Sequence, residues 1–374
     1  MLIFTSIIKI FLTFFITQIL YMVQHSFFEK EISERITLTW VIQHMKFGLS
    51  LGNENFQGLV KSAINAEKQG FDSLWVADMS RRDVFVTLST LALNTKRLLL
   101  GTSVTNPFSR HPFHIAQAMA SINEISNGRV ILGIGCGSKK NLLAPLSIDR
   151  TLPIQTVKES VIVIKKLLMG DKIRFTGKTI RVKDAKLDIV PNNNFPIYIG
   201  ARGSGMLEVA GEIADGVIIS SLANPTALKY ALNCVKLGVL KAGRKYSDIH
   251  INIFVRICVS NDSDSAKQSM RKHIPYRIWD DAWSTLNKLG YDRDVVNAVR
   301  KAFEASNLEA ASALVTDQMV EDFGITGTLD ECIKKIRKFE KVGVYRLIVI
   351  PLSSGMETRD DVTEIIAGEI MPKC

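Results

Sequence analysis

The sequence contains few cysteines, and no two of them form a Cys-x-x-Cys pair. The five are Cys136, Cys234, Cys258, Cys332 and Cys374, an odd number at wide spacing. This pattern argues against a disulfide framework and against the common zinc sites, and it fits a reducing cytoplasm. The six histidines also lack metal-ligand spacing, so we expect no metal centre.

Long runs of basic residues are absent too, although the net formal charge is +10. Neither zinc-finger spacing nor an RNP-type aromatic motif occurs, which argues against a nucleic-acid partner. A basic enzyme that binds an anionic cofactor accounts for the charge equally well. Because 47% of the residues are hydrophobic, the chain should form a packed globular core.

One long apolar run is present, and it stands at the beginning of the chain. Residues 2–23 are nearly all apolar, broken mainly by Lys9 and Gln18. This length and hydropathy suit a transmembrane helix or an uncleaved signal anchor, since no small-x-small cleavage site follows. Alternatively, Met45 is the physiological start and residues 1–44 are upstream sequence. We favour Met45 and treat residues 45–374 as the functional domain. The intact mass of the native protein would decide.

From Met45 onward, short apolar strands alternate with amphipathic helices. The eight predicted strands are Lys46–Leu51, Ser73–Ala77, Leu98–Val104, Arg129–Ile134, Ile197–Gly200, Gly216–Ser220, Ile251–Val259 and Arg346–Ile350. Seven of them precede a helix, which predicts parallel pairing in an α/β fold, a (β/α)₈ TIM barrel. Two insertions are expected, a hairpin over Lys172–Ile189 and helices over Pro275–Val320. A doubly wound sheet would alternate similarly, but no Gly-x-Gly-x-x-Gly turn follows the first strand.

In a TIM barrel the active site lies at the C-terminal ends of the strands. Asp78 follows the second strand there, and it either contacts a ligand or caps the next helix, with the cap slightly favoured. Gly135 and Gly137, after the fourth strand, let the backbone approach a planar ligand closely. Cys136 between them has no adjacent base, so we expect a small buried hydrophobe.

A glycine-rich turn after the fifth strand is the strongest candidate for binding an anion. Ala201, Arg202, Gly203 and Ser204 lead directly into a predicted helix. The first turn of a helix presents free backbone N–H groups and a positive dipole end, which suit phosphate. The alternative is an ordinary strand-to-helix turn built from small residues.

Five segments of the chain resemble the luciferase-like superfamily, and most of all its F420-dependent methylenetetrahydromethanopterin reductases. They are Gly70–Asp78, Thr102–Pro112, Glu124–Gly135, Pro196–Ile218 and Phe323–Ile336. The resemblance spans residues 45 to 374 and implies a barrel oxidoreductase. It implies that the deazaflavin coenzyme F420 exchanges a hydride with a small electrophile, such as a methylene-pterin iminium.

The resemblance also implies a role for each candidate site residue. Asp78 and Met79 would contact the ring system of F420. Ser103–Val104 would form a bulge with a non-proline cis peptide behind the ring. Gly135, Cys136 and Gly137 would line the cofactor tail, and the residues Ala201–Ser204 would hold its phosphate region.

Three positions depart from the reductases that the chain resembles. Those enzymes usually carry Glu where this chain has Ser50, and an acidic residue where it has Ser138. They commonly have His where this chain has Met79. Ser50 and Ser138 therefore join Asp78 as candidate catalytic positions, although a serine cannot replace a carboxylic acid with a tuned pKa. We hence expect a small electrophile that is either the methylene-pterin or a different, related substrate.

Two alternatives remain beside the F420-dependent oxidoreductase. One is an FMN-dependent monooxygenase of the same superfamily, which would share the barrel and the phosphate turn. The other is a non-catalytic barrel that binds a flavin or deazaflavin. We further expect a small-molecule substrate, a homo-oligomer, and a membrane association only if residues 1–44 are genuine.

Overall fold

The computed structural model describes residues 45–374, except 53, 192, 221, 356 and 357 and the side chains of 225 and 226. Met45–Cys374 form one compact unit. The apolar run over residues 2–23, for which a membrane anchor was the alternative interpretation, lies outside the described residues, like the whole 1–44 segment. Within the described part, no helix is both long and apolar enough to cross a membrane.

Eight parallel strands close into the predicted barrel. They are β1 (Lys46–Ser50), β2 (Ser73–Val76), β3 (Leu99–Thr102), β4 (Val130–Ile134), β7 (Ile197–Ala201), β8 (Gly216–Ser220), β9 (His250–Val259) and β11 (Arg346–Pro351). Neighbouring strands pair in that order, and β11 pairs with β1 to close the ring. The (β/α)₈ prediction is thus confirmed. The near-continuous apolar runs of the strands are explained by the burial of the sheet on both faces.

Helices follow the strands and cover the outside of the barrel. They are α1 (Phe56–Lys68), α2 (Val84–Asn94), α3 (Pro112–Ile125), α4 (Pro153–Leu168), α5 (Ser204–Ile213), α6 (Pro225–Lys241), α13 (Leu329–Lys341) and α14 (Arg359–Ile365). Most begin at a polar cap. Thr328 and Glu331 form a capping box at the start of α13, each accepting the other's backbone N–H.

Both predicted insertions are present. The hairpin consists of β5 (Ile173–Thr176) and β6 (Arg181–Ala185), which pair antiparallel. The helical insertion contains α7 (Ser263–Arg271), α8 (Ile274–Asp280), α9 (Trp283–Lys288), α10 (Arg293–Glu304), α11 (Leu308–Ala313) and α12 (Asp317–Phe323).

One strand was not predicted. β10 (Gly324–Gly327) pairs with the C-terminal part of β9, on the edge whose N-terminal part pairs with β8. Its four residues include two glycines, which is too short and too glycine-rich for a recognisable strand pattern.

The apolar residues divide into three clusters. The large one lies between strands and helices. A small one fills the barrel interior and includes Trp75, Tyr198 and Ile348. The third belongs to the helical insertion and reaches Cys258 near the end of β9. The insertion therefore packs at the C-terminal end of the barrel, where the candidate site lies.

Candidate active site at the barrel mouth

A bulge follows β3, and its Ser103–Val104 peptide bond is cis. The implied non-proline cis peptide is thus confirmed. The side chain of Val104 fits against two glycines of neighbouring strands. A Cβ atom at Gly135 would lie 2.8 Å from Val104 Cγ2, and one at Gly200 would lie 2.8 Å from Val104 Cγ1. A larger residue at either glycine would therefore displace the Val104 side chain, so this packing requires glycine at both positions.

Two polar atoms beside this bulge are buried without a hydrogen-bond partner among the described residues. They are the hydroxyl oxygen of Ser103 and the side-chain amide nitrogen of Asn106. The amide oxygen of Asn106, by contrast, accepts hydrogen bonds from the backbone N–H groups of Phe108 and Ser109. A buried donor without an acceptor costs free energy unless a ligand completes it. These two atoms are therefore candidates for hydrogen bonds to a polar ligand at the bulge.

Asp78 does not cap a helix, so that interpretation was wrong. The cap of α2 is Asp83, whose carboxylate accepts from the backbone N–H groups of Phe85 and Val86. Asp78 is buried, and its Oδ2 accepts a 2.7 Å hydrogen bond from Thr105 and lies 3.4 Å from Arg110 Nε. Burial raises the pKa of Asp78, against the opposing effects of Thr105 and Arg110.

The glycine-rich turn enters α5 as predicted, and no side chain caps that helix. Gly203 stands at the N-cap position with extended backbone angles, and open space surrounds the place of its missing Cβ. Lys288 of the insertion reaches the turn, with Nζ 3.5 Å from the Ser204 hydroxyl oxygen. The turn thus offers free N–H groups and an ammonium group, which together suit phosphate.

Arg202 contacts carboxylates of the insertion. Its guanidinium pairs with Asp281 and lies 3.3 Å from Oδ2 of Asp280. Asp281 also pairs with the buried Arg277 at 3.1 Å. Arg202, the predicted phosphate ligand, is therefore already paired with carboxylates. Lys288 donates a hydrogen bond to the Tyr230 hydroxyl but is in no ion pair among the described residues.

Ser138 contacts the carboxylate of Asp280, a residue that the sequence alone did not identify as part of the site. Its hydroxyl donates a 2.8 Å hydrogen bond to Oδ1 of Asp280, whose side chain is 6% exposed. Asn141 donates a 2.7 Å hydrogen bond to the hydroxyl of Tyr276 on the same insertion. No local pattern marks Asp280 in the sequence, because its partners lie far away along the chain.

The remaining candidates lie around the same mouth. Ser50 is buried at the end of β1, and its carbonyl accepts a hydrogen bond from Arg359. Met79 is 37% exposed beside Asp78. Cys136 is partly rather than fully buried, and this burial raises the pKa of its thiol, which disfavours the reactive thiolate.

A closed parallel barrel with a cis bulge behind β3 and an uncapped helix after β7 is the bacterial-luciferase type of (β/α)₈ barrel. The chain belongs to the luciferase-like monooxygenase family, whose model matches residues 37–346. It is 33% identical over 335 residues to a 5,10-methylenetetrahydromethanopterin reductase of Archaeoglobus fulgidus, covering 88% of this chain and 99% of the relative. The Methanolobus tindarius enzyme of the same name is 34% identical over 288 residues, covering 76% of this chain and 86% of the relative.

A solved structure gives the same result. The coenzyme F420 dependent tetrahydromethanopterin reductase from Methanopyrus kandleri superposes with a TM-score of 0.78 at 26% identity. The superposition covers 88% of this chain and 99% of that one. The resemblance found in the sequence is thus confirmed at the level of both family and fold.

Proposed function

We propose that this chain is an F420-dependent oxidoreductase that transfers a hydride between the reduced deazaflavin and a small electrophile. Because the chain is similar to methylenetetrahydromethanopterin reductases, methylenetetrahydromethanopterin or a related pterin is the first substrate to test. Residues 45–374 form the catalytic domain in this proposal. The observation that most directly supports the proposal is that one polar atom of Ser103 and one of Asn106, at the Ser103–Val104 bulge, are buried without a hydrogen-bond partner among the described residues.

The residues present fit F420. Ser103 and Asn106 offer polar atoms for the ring, and Val104 packs behind the position the ring would take. The N-terminus of α5 and Lys288 suit the phosphate of the tail. When bound, F420 supplies or accepts the hydride at C5 of its deazaflavin ring.

The protein's own contribution is to orient the reactants and to place charged side chains beside them. Asp78 would fix one edge of the ring through its buried carboxyl group, itself held by Thr105 and Arg110. Asp280, oriented by Ser138 and paired with Arg202, would place a carboxylate next to position 138, where the similar reductases carry an acidic residue, and would act there in proton transfer. Ser50 remains too poor an acid for that role.

Titration of the full chain with F420 and FMN separately, followed by fluorescence, tests the cofactor. We expect F420 to bind at least about tenfold more tightly, a difference of about 1.4 kcal/mol. Stronger FMN binding would favour the monooxygenase alternative. Rapid-mixing absorbance should then show reoxidation of reduced F420 by methylenetetrahydromethanopterin. F420 binding without reoxidation by any electrophile in a panel of iminium and enone compounds would favour the non-catalytic barrel.

The proposal includes a homo-oligomer in the cytoplasm. Light scattering of the purified full chain tests the first part, and fractionation of the source cells tests the second. A strictly monomeric species at micromolar concentration would refute the homo-oligomer. Recovery in the membrane fraction would refute the cytoplasmic location. Neither result would affect the proposed reaction.

A further inference from the structure

Arg256 lies near the end of β9 and faces the mouth of the barrel. Side chains alternate between the two faces of a strand. Val255 and Ile257 belong to the core between strands and helices, so Arg256 lies on the opposite face. On that face, Phe254 packs in the barrel interior and Cys258 packs in the core of the helical insertion. Arg256 therefore stands where the interior of the barrel meets the insertion.

The guanidinium of Arg256 has no hydrogen bond and no ion pair within the described part of the chain. The other arginines of this interior are paired. Arg346 contacts Asp72 at 2.6 Å, and Arg202 and Arg277 both pair with Asp281. Arg256 is partly buried, and burial lowers its pKa. An enclosed cation without a partner is unfavourable, which makes it a strong binder for an incoming anion.

Charged groups of both signs lie near Arg256, but no carboxylate pairs with it among the described residues. Burial lowers the pKa of Arg277, the positive charges of Arg202 and Arg256 lower it further, and Asp280 opposes them. Tyr276 is the only ionisable group that favours the charged form of Arg256 among the described residues. No carboxylate therefore competes for the guanidinium of Arg256.

We propose that Arg256 binds an oxyanion of the substrate, a phosphate or a carboxylate group, and thereby selects an anionic electrophile over a neutral one. The inference rests on the proposed function, because it treats the barrel mouth as the place of hydride transfer. The planar fork of arginine matches phosphate and carboxylate in a bidentate manner.

The cofactor is the less suitable source of this anion. The turn that suits its phosphate follows β7 and includes Ser204 and Lys288. Arg256 belongs to β9, two residues after Phe254 of the barrel interior, and so lies on a different strand from both that turn and the Ser103–Val104 bulge.

Calorimetric titration tests the site with two simple probes, inorganic phosphate and acetate. The full chain is first saturated with F420, so that the phosphate turn is occupied. Arg256→Met should weaken binding of the preferred probe about 10- to 100-fold, as loss of hydrogen bonds to a charged group implies. The matched control is Arg181→Met, because Arg181 is exposed on β6 of the hairpin. It should bind the probe like the original chain.

The Arg256→Lys variant distinguishes loss of the anion site from a folding defect. It keeps the positive charge, so it should retain part of the anion affinity. Once an electrophile turns over, Arg256→Met should raise KM for an anionic substrate and leave kcat nearly unchanged. The tighter of the two probes identifies the group as phosphate or carboxylate.

Three results would overturn the inference. They are equal probe affinity in the Arg256→Met protein, no affinity for either probe in the original chain, and probe binding that saturating F420 abolishes. Failure of F420 itself to bind would instead refute the proposed function. Loss of anion affinity in the Arg256→Met protein without cofactor would then still support the arginine as an anion site.

Discussion

The hydroxyl of Ser138 donates a 2.8 Å hydrogen bond to Oδ1 of Asp280, across a separation of 142 residues in the chain. Ser138 follows a barrel strand, whereas Asp280 ends α8 of the insertion. The carboxylate that the sequence lacks after β4 is therefore supplied by another segment. A carboxylate is thus present beside Ser138, although the segment after β4 itself contains none at that position.

We predict that Asp280→Asn lowers kcat about 100-fold or more, because general acid–base groups typically contribute that much. Affinity for F420 should change less than threefold, since the amide keeps the shape of the side chain. Steady-state kinetics and a fluorescence titration measure the two effects. Ser138→Ala, which leaves the carboxylate in place, should cost less than about tenfold in kcat. If Asp280→Asn weakens F420 binding as much as it lowers kcat, the residue serves the cofactor through Arg202 instead.

Glu159 of α4 forms hydrogen bonds to the turn between β5 and β6 of the hairpin. Its carboxylate accepts from the backbone N–H groups of Lys178, Thr179 and Ile180 and from the side chain of Gln155. Burial alone would raise the pKa of Glu159, but these hydrogen bonds outweigh it and lower the pKa to about 2. The charged form is therefore the one that stabilises the folded chain.

We predict that Glu159→Gln lowers the free energy of unfolding by about 1–3 kcal/mol at pH 7. The folded pKa lies below the unfolded value of 4.5, so the stabilisation is complete above pH 4.5 and is lost as the pH falls towards 2. Urea unfolding at several pH values measures it. Asp184→Asn, which removes only an exposed ion pair with Arg174, should change stability by less than about 0.5 kcal/mol. A Glu159→Gln effect that persists unchanged at pH 2 would contradict the linkage.

Local pattern and resemblance predicted most of the fold. Continuous apolar runs bounded by glycine and polar residues identified all eight barrel strands, because burial on both faces leaves little freedom of composition. The cis peptide at Ser103–Val104 is different, since nothing in the residues themselves requires it. It was reached only through the resemblance to a family.

The parts that could not be predicted depend on contacts between distant segments. Asp78 and Asp83 are both plausible caps for α2, and only the backbone path decides for Asp83. Asp280, Lys288 and Arg256 carry no motif, because their relevance comes from where the insertion and β9 meet the barrel mouth. Such contacts between distant segments cannot be inferred from a single sequence.

Lys288 provides the next prediction, since its Nζ lies 3.5 Å from the Ser204 hydroxyl oxygen. Lys288→Met should weaken F420 binding about three- to tenfold, with the larger loss at low salt, because a partly exposed charge pair is screened. The deazaflavin fragment without its phosphate tail should bind equally well to both proteins. Lys241→Met, which removes an exposed pair with Glu208, is the control and should leave both affinities unchanged. Equal losses for F420 and the fragment would place Lys288 outside the phosphate site.

The packing of Val104 gives the last prediction. A methyl group at Gly135 would meet Val104 Cγ2 at 2.8 Å and the carbonyl oxygen of Gly200 at 3.2 Å, so Gly135→Ala must shift the bulge behind the ring. We expect F420 affinity to fall at least about tenfold, with a loss of stability of about 1–3 kcal/mol. Gly368→Ala is the matched control, because nothing lies within 4 Å of its added methyl group, and it should bind F420 normally. Fluorescence titration and thermal unfolding of both variants measure these effects. Unchanged F420 affinity in Gly135→Ala, with the stability loss present, would mean that the bulge does not contact the cofactor.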